Sequence, residues 1–119
     1  MIDSKKNNVS LDAMVDRLGM KDTIEMYEYA LLKIPEKKKR LLHYIVSADY
    51  FSSRQMAHQL LSSVRLYGTE KLDGLLRQVR FVGTSKVDEA ALVLALSDEF
   101  DTVSKNISQW LNLHREKID

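Results

Sequence analysis

Glycine and proline together supply only five of the 119 residues, four glycines and one proline, and no stretch alternates apolar and polar residues as a half-buried strand does. A chain so poor in turn formers and in period-two patterning has one economical way to bury its apolar residues, which is to form helices. The few breaks divide it. Ser10 is placed to cap a short segment, "LDAMVDRLG", ending at Gly19, and "DTIE" at residues 22–25 offers Asp22 as the cap of a long helix running towards Ala48. Pro35 falls inside that span, yet Leu41, Leu42, Ile45 and Val46 resume the helical period beyond it, which predicts a bent helix or a helix pair. A third helix opens on the box "SSRQ", with Ser52 paired to Gln55, and ends at Gly68, suited to a left-handed cap. A fourth runs from about Thr69 to Gly83. A fifth follows Ser85 with its apolar face at Val87, Ala91, Leu94, Phe100, Val103, Ile107 and Trp110 or Leu111. Connections of about two to four residues force neighbouring helices antiparallel.

The expected fold is therefore all-α, an antiparallel four-helix bundle with a short extra N-terminal helix, in a single domain covering residues 1–119. The polar first nine residues are expected to be frayed. No repeat or linker divides the chain.

A formal net charge of +1, with 29% charged residues, argues against a nucleic-acid footprint. No cysteine is present, so there is no thiolate nucleophile, disulfide framework or Cys-based zinc site. The start "MIDSKKNNVS" has no hydrophobic signal core and no apolar run is long enough for a membrane, which points to a cytoplasmic protein that does not engage membranes. His43, His58 and His114 are spread over three helices, so no metal site is expected. Tyr27, Tyr29, Met14, Met20, Met26 and Met56 read as core or core-edge residues. The basic run "KKKR" at 37–40 reads as a solvated face, or as a patch that steers an acidic partner.

The third helix carries the chemistry. At about 100° per residue, Met56, Leu60, Ser63, Val64 and Tyr67 form a core stripe, and His58 lies about 200° from Met56. Arg54, Leu61, Ser62 and Arg65 are its surface neighbours by spacing. The histidine is presented outward, with two cations near enough to favour an anion attached to it.

"AHQLLSSVRLYGTEKL" resembles the signature of histidine-containing phosphotransfer (HPt) domains, roughly Ala-His-x-Leu-Lys-Gly with a later glycine and leucine: Ala57, His58, Leu60, Gly68 and Leu72 fall in register. The likeness extends from about Leu11 to Leu111 and includes the turn Ala48, Asp49, Tyr50 before the helix that bears the histidine. It implies a phosphorelay intermediate that reversibly takes a phosphoryl group on His58 from a receiver-domain aspartate and passes it on, without catalytic turnover of its own. It also implies a metal-free protein, with Mg²⁺ on the partner. The partners are receiver domains of response regulators or hybrid sensor kinases, met by a monomer. Two positions depart from the pattern: the family lysine is Leu61 and the following glycine is Ser62. Arg65, with Arg54 on the other side of the histidine, is the expected substitute for the lysine's charge; Gln55 and Ser62 are expected to stabilise the phosphate or meet the partner, and Leu61, with Leu66, is the expected apolar contact. The alternatives are an HPt-like adaptor that binds a receiver or kinase without accepting phosphate, and a structural bundle that pairs with another helical protein.

Overall fold

The computed structural model describes residues 9–118, with side chains placed from 11 to 115. Among them are α1 (Val9–Leu18), α2 (Met20–Val46), α3 (Tyr50–Tyr67), α4 (Glu70–Gln78), a 3₁₀ turn (Val79–Phe81) and α5 (Glu89–Ile118), and no strand. The proposed fraying of the first nine residues lies outside the described residues up to residue 8, while Val9 already begins α1. No helix among the described residues is long and apolar enough to cross a membrane. The chain is elongated, 50 × 27 × 20 Å, its length set by α2 and α5, whose contact is the most extensive in the fold. α2 also packs on α3, α3 on α4 and α4 on α5, while α1 lies against α2 and α3.

The core is built on Tyr27, which no solvent reaches. Its hydroxyl donates to the carbonyls of Leu11 (3.0 Å) and Leu66 (3.3 Å), and its ring meets that of Trp110 edge-on at 5.0 Å. One side chain thus ties α2 to α1, α3 and α5. Trp110 in turn donates from Nε1 to Asp12 Oδ1 at 2.9 Å, and His114 stacks on its other side at 4.0 Å. Tyr29 is not in this core: it is 63% exposed, with Lys33 over its ring. Met14 and Met56 are buried, and Met20 and Met26 pack at the edge.

Several boundaries differ from those the sequence suggests. α2 starts at Met20 rather than at Asp22, because Gly19 at φ +82° turns the chain and its carbonyl accepts from the Thr23 amide (3.1 Å) and hydroxyl (2.7 Å). Asp22 then sits in the first turn, where a carboxylate suits the positive helix end. Ser10 lies inside α1 rather than before it. Pro35 is accommodated within one continuous α2, on the exposed side where a carbonyl deprived of its N–H partner can turn to water.

α3 opens at Tyr50, two residues before the "SSRQ" box, and its cap is Asp49 rather than Ser52. Ala48, at φ 62°, reverses the chain, and the Asp49 carboxylate accepts from the Ser52 amide at 3.2 Å, a stronger cap than the later serine offers. Gly68 ends α3 as expected but not in the left-handed region; its φ is −92°, and it is needed there because a Cβ would sit 2.6 Å from Val64 Cγ1. Thr69 caps α4, accepting from the Leu72 amide at 3.0 Å. Its hydroxyl donates at 2.6 Å to Glu99, a carboxylate almost wholly inside the fold. α5 begins at Glu89, with Asp88 accepting from the Ala91 amide at 3.1 Å, and its buried stripe is Leu92, Leu96, Phe100, Val103, Ile107, Trp110 and Leu111. Ala91 and Leu94 face outward, Leu94 at 68% exposure, because the stripe enters Phe100 from Leu92 and Leu96, at helical spacings of four, rather than from Ala91 and Leu94.

Candidate functional site

α3 buries Ser53, Met56, Ala57, Leu60 and Val64, which leaves the opposite face to solvent. On that face stand Phe51, Arg54, His58, Leu61, Ser62 and Arg65, within an arc of about 100°. His58 is exposed near the middle of the helix. Phe51, two turns earlier and about 20° from it around the axis, is 74% exposed, a large aromatic surface beside an accessible imidazole.

Along one flank of this face runs a groove of about 330 Å³ between α3 and α4, lined by Arg54, Ala57, His58, Leu61, Leu76, Arg77 and Arg80. The three cations come from three elements, Arg54 from α3, Arg77 from α4 and Arg80 from the 3₁₀ turn. Arg54 donates from Nε to the Arg80 carbonyl (3.2 Å) and from Nη2 to the Val82 carbonyl (3.1 Å), so it fastens α3 to the end of the 3₁₀ turn while its charge borders the groove. Arg77 is ion-paired with Asp73 one turn back, and that carboxylate holds its guanidinium still more firmly protonated than usual. Arg80 rests on the Phe81 ring at 4.6 Å. Three guanidinium groups against one carboxylate leave the walls cationic.

The α4–α5 connection fixes this arrangement. The Gly83 amide donates to Glu89 Oε2 at 2.9 Å, and the Tyr50 hydroxyl, at the start of α3, donates to the same oxygen at 3.2 Å. Gly83 adopts φ +83° against the Tyr50 ring, leaving no space for a side chain. The turn that carries Arg80 is thereby pinned to the helix that carries His58.

The residues singled out by spacing separate here. His58, Arg54 and Leu61 share the groove; Arg65 and Ser62 are exposed on the same face outside its lining. Arg65 makes no hydrogen bond or ion pair among the described residues, and Leu66 is 37% exposed. Gln55 lies on the other flank, in a polar groove of about 300 Å³ between α2 and α3 with Lys37, Arg40 and Tyr44. The basic run is thus divided, since Lys38 pairs with Asp101 at 2.8 Å. Single-helix reasoning missed Arg77, Arg80 and Phe51. The first two are signalled by "RQVR", two arginines three apart flanked by the buried Leu75, Leu76 and Val79, and Phe51 by its distance of seven from His58.

Chemically, an exposed imidazole presents a ring nitrogen able to act as a nucleophile, and the cationic groove beside it favours an oxyanion. Among the described residues no group of three or more His, Asp or Glu side chains is gathered as a metal site. The fold and site together define an all-helical protein that presents the accessible His58 beside an arginine-lined groove. No protein-family model, curated protein or solved structure matches the chain.

Proposed function

We propose that this chain is a histidine phosphotransfer domain, an antiparallel four-helix bundle of α2 to α5 with α1 as the short additional helix, whose His58 accepts and donates a phosphoryl group. The observation that carries the proposal is the exposure of His58 at the centre of α3, on the face away from the core, with a cationic groove alongside. In the forward step a ring-nitrogen lone pair of His58 attacks the phosphorus of a receiver's aspartyl phosphate. The bond from phosphorus to the aspartate oxygen breaks and its electron pair leaves with the carboxylate. Transfer onward is the same step in reverse. The reaction needs alignment more than activation, so Mg²⁺ on the receiver and a docked geometry supply the rest.

Phe51 and Leu61 are the apolar surface on which a receiver domain rests, and Arg54 and Arg65 are cations on the same face that meet its acidic site. The protein works as a cytoplasmic monomer. Transfer from a phosphorylated receiver to the wild type, and not to His58→Gln, tests the proposal. Leu61, in the place of the family lysine, favours a second reading in which the same face binds a receiver but takes no phosphate; binding without transfer selects it.

A further inference from the structure

On α3 itself, the cation expected in place of the family lysine is Arg65. Across the groove, we infer that Arg77 on α4 and Arg80 on the 3₁₀ turn that follows it are the binding residues for an oxyanion at His58, so that the phosphoryl group is held between α3 and the end of α4. This deepens the proposed function and rests on it. Leu61 occupies the groove wall where the lysine's charge is missing, while Arg77 and Arg80 line that groove together with His58 and Arg65 does not. Arg54 is the third cation, but two of its donors are committed to the carbonyls of Arg80 and Val82. Arg77 meets Asp73 through Nε, which leaves its terminal nitrogens to turn to an anion, and among the described residues the Arg80 guanidinium meets only the face of Phe81. A planar guanidinium with parallel donors fits a phosphoryl group with two hydrogen bonds, a geometry that a lysine lacks.

The test uses the full chain and inorganic phosphate, read by the ring resonances of His58, which His58→Gln identifies. Phosphate is expected to move those resonances saturably in the wild type. Arg77→Ala and Arg80→Ala should each weaken half-saturation about three- to tenfold, the double variant more, and Arg65→Ala by no more than about twofold. Arg77→Lys and Arg80→Lys, which keep the charge, should bind more tightly than the alanine variants. A wild-type His58 that phosphate does not move overturns the inference, as does an Arg65→Ala loss equal to that of the Arg77 and Arg80 variants. Phosphate binding that follows this pattern, with no transfer from any receiver, removes the phosphotransfer reading and leaves the site standing. Transfer that survives the double variant undiminished removes the site and leaves the reading.

Discussion

Replacing Gly83 by alanine strikes the joint that places Arg80 beside His58. Two costs are visible. An L-residue at φ +83° loses about 1 kcal/mol relative to glycine. The new Cβ would also stand 2.7 Å from Tyr50 Cε2 and 2.9 Å from Cδ2, closer than side-chain carbons approach, so the ring or the loop must move. Neither is free to do so without loss, because the Tyr50 hydroxyl and the Gly83 amide converge on one Glu89 oxygen, and each bond contributes about 1 kcal/mol. The sum is about 2–4 kcal/mol. For a chain of 119 residues an unfolding entropy of about 2.1 cal/mol/K per residue converts this to a fall in Tm of about 8–16 °C. The control is Gly74→Ala in the middle of α4, where nothing lies within 4 Å of the added carbon and helix propensity gains up to about 1 kcal/mol. Thermal unfolding followed by circular dichroism reads both. A Gly83→Ala protein that melts within about 2 °C of the wild type, or a Gly74→Ala protein destabilised as much, refutes the reasoning.

Thr69→Ala removes the cap of α4 and strips the buried Glu99 of the hydroxyl that donates to it, for a loss of about 2–4 kcal/mol in urea unfolding, most of it restored in Thr69→Ser. Burial, and secondarily the charge of Asp12, hold the Tyr27 hydroxyl above its ordinary range. The folded chain therefore keeps a proton that the unfolded chain releases above about pH 10, so this stability is complete below that pH and is lost as pH climbs through the folded value. Tyr27→Phe, about 1–2 kcal/mol less stable at neutral pH for want of its hydrogen bonds to Leu11 and Leu66, should show a shallower alkaline decline; an equal slope would assign the decline elsewhere.

Much of the fold was legible because its signals are local. Glycine scarcity gave the helical class, and the 3.6-residue period along "RQMAHQLLSSV" put Met56, Leu60 and Val64 inside and His58 outside, as found. What failed was choice among neighbouring caps. Asp22 and Ser52 are good capping residues, but Gly19 and Ala48, both at positive φ, turn the chain earlier; the resemblance marked the turn at Ala48, Asp49 and Tyr50, whereas residue-type capping rules favour Ser52 over Asp49 because an alanine carries no turn signal of its own. The site was half legible for a related reason. A helical wheel ranks residues on one helix, and so finds Arg54 and Leu61 but also Gln55, which opens onto the other flank. Arg77 and Arg80 reach the groove only through the packing of α4 on α3 and the Arg54 and Glu89 hydrogen bonds that pin the turn after it.

The most direct measurement of the central claim is the intact mass of the protein after incubation with a phosphorylated receiver domain and Mg²⁺, beside that of His58→Gln. Addition of one acid-labile phosphate to the wild type and none to the variant is the expected result. Phosphate on both proteins, or on neither while the receiver still binds, would contradict the assignment of His58 as the phosphoryl acceptor.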